Sequence, residues 1–153
     1  MPTTSPNAHM LAASSIACTR LSAVIVKRKP VSKEATAQHA ADVALAEQFD
    51  DLLAQARAAE DALRGAQADG ASPADLHQLG KGLDDALTAV MRAAFAAERA
   101  EIGPQGYDDR IYRRKAMATT PVRAWTMEAQ RLLTMRESHR LTGIARLPRT
   151  PAV

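Results

Sequence analysis

Between residues 32 and 103 the chain carries 22 of its 33 alanines and 13 of its 17 acidic residues, and its larger apolar residues recur there at helical spacing. Alanine is the strongest helix former but buries little apolar surface, so such a stretch is bound to be helical and poor in core material. Its small side chains let backbones approach closely and recover some dispersion contact. Two helices of about 30 residues would each run about 45 Å at about 1.5 Å per residue. A bare pair of that length encloses no core and needs a third helix or a partner to cover it.

The boundaries of the two helices are written in capping residues. Ser32 can accept a backbone N–H bond from the first turn, where Glu34 adds favourable charge. The apolar stripe is Ala41, Leu45, Phe49, Leu52, Ala56, Ala59, Leu63 and Ala66, with Glu47, Asp50, Asp51, Glu60 and Asp61 off it. Ala68-Asp69-Gly70 stops that helix. Ser72-Pro73-Ala74-Asp75 then opens the second with a hydroxyl cap, proline at the first position and a carboxylate at the third. Leu76, Leu79, Leu83, Leu87, Val90, Ala94 and Ala97 form its stripe, widened by Met91 and Phe95, and Gly103-Pro104 ends it. Thr120-Pro121 repeats the cap signal for a third helix, whose apolar face is Val122, Trp125, Ala129, Leu132 and Leu133. Thr142-Gly143 closes it.

The predicted fold is therefore all-α: a long antiparallel helical hairpin plus a third C-terminal helix, with extended basic N- and C-terminal arms. Helices are expected over 33–67, 73–102 and 121–141, with Leu52, Leu63, Leu83 and Leu87 buried between the first two. The chain divides into a basic, acid-free arm (1–31), the acidic hairpin (32–103), a basic connector (104–120), the third helix (121–142) and a basic tail (143–153). Only five aromatic residues (Phe49, Phe95, Tyr107, Tyr112 and Trp125) are available to a core. Trp125 is expected to seat the third helix on the hairpin, with a role as an interface anchor as the second reading.

A net charge of +3 conceals three blocks. Residues 1–33 hold five bases and no acid, residues 34–107 five bases and thirteen acids, and residues 108–153 ten bases and four acids. Such blocks mark interaction tails that seek a surface of opposite sign. The first thirty residues are basic, rich in Ser and Thr and free of acid, a composition similar to that of mitochondrial transit peptides; a loosely docked arm is the reading placed ahead of it. Ser15-Ile16-Ala17-Cys18 faintly resembles a lipoprotein cleavage box, but no base precedes it. No 18-residue apolar run is present. An intracellular location, with mitochondrial targeting as an option, is the expectation.

Catalytic and metal chemistry find little purchase. His9, His39, His77 and His139 lie apart, without a second ligand at metal spacing, and the single Cys18 forms no cluster. Gly80-Lys81-Gly82 lacks the spacing, the following hydroxyl and the preceding strand of a phosphate loop. Close approach to the alanine face of the first helix, or a kink, would explain those glycines. Asp50-Asp51 and Asp84-Asp85 point about 100° apart along a helix and read as solvated faces. No cofactor, metal or catalytic residue is expected.

The connector is the one place where clustered bases interleave with aromatics, as phosphate contact with base stacking would require. There Asp108 can cap a short helix and Asp109 can pair with Arg113. Anchoring of the connector to the hairpin by its tyrosines and isoleucine, with the charges left wet, is the blander account. The candidate partner-binding residues are Arg110, Tyr112, Arg113, Arg114, Lys115, Arg123, Trp125, Arg131, Arg136 and Arg140. The expected function is that of a non-catalytic accessory or structural subunit of a larger assembly, whose partners are protein subunits with acidic surfaces. A nucleic-acid-binding module, for instance one contacting ribosomal RNA, is the alternative. A secretion- or chaperone-type helical adaptor is the third reading.

Overall fold

The computed structural model describes residues 30–143, and the arms predicted at the two ends lie almost entirely outside them. The described residues are all-α, with six helices and no strand: α1 (Lys33–Ala46), α2 (Phe49–Ala68), α3 (Pro73–Ile102), α4 (Gln105–Asp108), α5 (Arg110–Ala116) and α6 (Thr120–Thr142). Three of the starts and stops follow from local chemistry. The Ser32 hydroxyl accepts from Ala35 N at 3.0 Å, and that of Ser72 from Asp75 N at 3.2 Å. Gly103, at φ 87°, takes the left-handed conformation that ends α3 and that a side chain would resist. α6 differs from expectation: its cap is Thr119, whose hydroxyl donates to the Ala116 carbonyl at 2.7 Å and gives the new helix no side-chain bond.

α3 is the central element, packed against by α1, α2, α4 and α6. Leu83, Leu87 and Val90 are fully buried along it and share one core with Phe49, Leu53, Ala56, Leu63, Ala129 and Leu132. Farther on, Ala93, Ala94, Ala96 and Ala97 are buried as well. At about 100° per residue those positions and Val90 sweep well over a third of the circumference, which requires neighbours on more than one side.

The first long helix is interrupted. Glu47 and Gln48 form a tight turn, with Gln48 N donating to Leu45 O at 3.2 Å, and α2 begins at Phe49. Phe49 is buried in an edge-to-face contact with Trp125, ring centroids 5.1 Å apart. The buried positions of α2 are Phe49, Leu53, Ala56, Glu60 and Leu63. Leu53 thus takes the place predicted for Leu52, which is only partly buried at the rim, and Glu60 lies inside where Ala59 was expected. The Glu60 carboxylate is held by Arg64 Nε at 2.8 Å, one turn on. The face of α1 also differs. Ala41 is exposed, and the side that meets the bundle carries Ala35, His39 and Asp42.

The two glycines in α3 are not explained by packing on the first helix. A Cβ at Gly80 would stand 4.0 Å from His139 on α6, an ordinary contact, and one at Gly82 would meet nothing within 4 Å. Asp84 is not a solvated carboxylate either: it takes two bonds from Arg140 on α6, at 2.7 and 2.8 Å.

Two measurements of chemical denaturation check this core. Leu53→Ala should cost about 3 kcal/mol, the range for a fully buried leucine, and Leu52→Ala distinctly less. Gly82→Ala should raise stability by about 0.5–1 kcal/mol, because an open helix-interior position gains from alanine's smaller loss of backbone entropy.

Candidate functional site

The connector folds into two short helices, and their contrast defines the site. α4 is fastened down. Asp42 on α1 accepts from Arg99 Nε at 2.8 Å, from Arg99 Nη2 at 2.6 Å and from the Tyr107 hydroxyl, which joins α1, α3 and α4 at one carboxylate. Beside it the His39 ring pairs with the Ala100 carbonyl at 3.1 Å and stands edge-on to Tyr107. Ser32 donates through both its backbone N and its hydroxyl to Asp108, at 2.6 and 2.9 Å. Gly106 is buried on the end of α3, and a Cβ there would collide with the Ile102 side chain. Glycine is required at that point by close approach rather than by its dihedral.

The electrostatics of this latch follow from its bonds. The Arg99 guanidinium holds the Asp42 carboxyl below its ordinary value, against the opposing effect of burial, with Tyr107 helping. Burial first, and the bond to Asp42 second, push the Tyr107 phenol up to about 12.

α5 is free of such restraint, and none of its residues is buried. Asp109, rather than Asp108, caps it, accepting from Ile111 N at 2.8 Å and Tyr112 N at 3.0 Å, so the expected pairing of Asp109 with Arg113 gives way to the cap. The reason is that Asp108 is already taken by Ser32. Arg110, Arg113, Arg114 and Lys115 are all exposed, and among the described residues none of them forms an ion pair. The bases of the last turn suit the negative end of the helix. Ile111 is 69% exposed, Met117 39% and Tyr112 36%. Isoleucine and the second tyrosine therefore do not pin the connector; Tyr107 does. By helical angle, Ile111 sits between Arg110, Arg114 and Lys115 on the outward side.

The arginines of α6 separate into two kinds. Arg123 is exposed in the first turn. Arg131 bonds the buried Glu128 at 3.2 Å, Arg136 approaches Asp84 at 3.6 Å and Glu137 at 3.2 Å, and Arg140 grips Asp84. The last three are thus engaged within the bundle. Nearby, His139 presents Nε2 to the Gly80 carbonyl at 2.8 Å and Nδ1 to that of Gly143 at 3.0 Å, two acceptors of which a neutral ring can satisfy only one by donation. Trp125 is half-buried against the core, where the sequence reading placed it. The sequence reading missed Asp42 and Arg99, which are far apart in the chain, and the exposed Ile111 and Met117.

Among the described residues no three His, Cys, Asp or Glu side chains are grouped to hold a metal ion, and no helix is long and apolar enough to cross a membrane. No family model, curated protein or solved structure matches the chain.

The latch makes a prediction at both ends of the pH scale. A carboxyl with a depressed value stabilises the fold above its ordinary value of 3.8, and that stability is lost as pH falls below it. A phenol raised from 10.0 to about 12 stabilises below 10, and the contribution disappears as pH climbs through that interval. Unfolding free energy should therefore fall in both windows, and Asp42→Asn should flatten both slopes. In Tyr112→Phe the remaining tyrosine should give a phenolate absorbance titration centred near 12; a midpoint at 10 would contradict the latch.

Proposed function

We propose that the chain is a non-catalytic helical binding protein, a small accessory subunit of a larger assembly, which meets an acidic protein surface through α5. The observation that carries this reading is the contrast within the connector: α4 is locked by Asp42, Arg99 and Tyr107, while α5 beside it buries nothing and exposes four bases, three of them flanking an exposed isoleucine. A short helix held on a fixed support loses little freedom on binding, which favours recognition over mere solvation. In this reading the hairpin of 32–103, bent at 47–48, is the support. The third helix closes its core, so the leucine seam is not the partner surface. Extended basic arms at the two ends remain part of the proposal.

The observations favour protein over nucleic acid. The group at the centre of the outward side is Ile111, which cannot stack on a base, and Tyr112 is the less exposed of the two. An isoleucine ringed by cations suits an acidic surface with an apolar depression.

A full-length tagged chain retrieved from its own cells should keep its protein partners after nuclease treatment. Arg113→Glu, Arg114→Glu and Lys115→Glu together should weaken that capture about tenfold or more and remove most of its sensitivity to salt between about 50 and 200 mM. Loss of all binding on nuclease treatment would favour the nucleic-acid reading, and undiminished capture by the triple variant would move the site away from α5.

A further inference from the structure

A second surface of the chain complements the α5 ridge. Where α1 breaks from α2, a shallow groove lies between that turn and the first turns of α6, floored by Ala46, Trp125, Pro121 and Ala124 and rimmed by Glu47 and Asp50. Both rim carboxylates are exposed, as is Asp51 next to them, and among the described residues none has an ion-pair partner. Arg123, the base nearest in sequence on α6, stands two residues from both Pro121 and Trp125 and so about 160° from each around the helix, which turns it away from the rim. The groove offers a half-buried indole beneath two to three negative charges. The ridge offers an isoleucine between three positive charges, with Arg113 behind.

We infer that the occupant of this groove is the α5 ridge of a second copy of the chain. This rests on the reading of α5 as a binding element and names one acidic surface that it meets. The geometry suits a two-fold pair. Residues 117–119 are all that separate the ridge from α6, whose first turns form one wall of the groove, so ridge and groove lie near each other on one chain. An axis between them sets each ridge over the other copy's groove, and the contact is made twice. The duplication matters because a seven-residue helix is only about 10 Å long and one such contact alone would be small for a lasting complex. Ile111 then loses its exposure against the Trp125 floor, while Arg110, Arg114 and Lys115 face Glu47, Asp50 and Asp51. Because the pairing is between exposed charges, the pair should be reversible and salt-sensitive.

Sedimentation of the full chain tests this with two charge-reversed forms. In one the ridge is changed by Arg114→Glu and Lys115→Glu; in the other the groove is changed by Glu47→Lys and Asp50→Lys. All four positions are exposed, so both forms should fold, which circular dichroism verifies. The wild-type chain should self-associate at low salt and dissociate as salt is raised. Each reversed form alone sets like charges opposite one another and should associate at least about tenfold more weakly. An equimolar mixture of the two should associate again, because an acidic ridge then meets a basic groove and a basic ridge an acidic one. A wild-type chain that stays monomeric throughout, reversed forms that still self-associate, or a mixture that stays apart would overturn the inference. None of those results touches the reading of α5 itself, which is tested separately by nuclease treatment and by the triple variant in capture of the cellular partner.

Discussion

The helical core depends on how α3, with little side-chain volume in its second half, is covered. Ala93, Ala94, Ala96 and Ala97 are all buried there. Each removes little surface from water, so the stabilisation has to come from many short contacts made on several sides at once. That explains why the other main helices pack on α3, and why the neighbours themselves carry the larger groups: Phe49 and Leu53 from α2, and Leu132 from α6. It also explains the break at 47–48. A continuous first helix would keep one face inward for its whole length, whereas the turn lets α2 bring Phe49 onto Trp125 while α1 turns a polar side to the end of α3.

α1 is the instructive element, because it is attached chiefly by polar bonds. Ala35 is its only fully buried residue. The attachment runs instead through Ser32 to Asp108, His39 to the Ala100 carbonyl and Asp42 to Arg99 and Tyr107. Charge-assisted, bidentate bonds have strict geometry, so they fix how α1 lies in a way that alanine-to-alanine packing does not. The same bonds hold α4 in place, and through α4 they set where α5 begins.

This is also where reading the chain succeeds and fails. Leu63, Leu83 and Leu87 are buried as predicted, and the Ser32 and Ser72 caps form, because a leucine stripe and a hydroxyl before a helix act over one or two turns. The stripe through α1 holds at Leu45, which packs against the core, and fails at Ala41, because nearly every other position on that helix is alanine or polar and apolar spacing marks the face poorly; the bonded side is marked by His39 and Asp42, whose partners stand 61 and 57 residues away. Glu60 is misplaced for a related reason: its carboxylate is tolerated inside because Arg64 follows at one turn, a pairing that a hydrophobic count ignores. In the candidate site, the α5 bases were legible as a cluster. Which of the arginines are committed internally was not, since Asp84 reaches Arg140 across 56 residues.

The exposure of charge on α5 follows from where the acids of the C-terminal block are spent. Residues 108–153 contain four acids: Asp108, Asp109, Glu128 and Glu137. Asp108 binds Ser32, Asp109 caps α5 through backbone N–H groups, Glu128 holds Arg131, and Glu137 meets Arg136 and Arg140. Asp84, the acid that α3 extends toward this block, is occupied by Arg136 and Arg140. Neutralising Arg110, Arg113, Arg114 or Lys115 with any of these would break a contact that fastens a helix or starts one. The acids left exposed where α1 turns into α2, Glu47, Asp50 and Asp51, form no ion pair with the ridge of their own chain. The fold therefore keeps these opposite charges apart on one chain, because pairing them would undo the contacts that fasten α4, start α5 and seat α6.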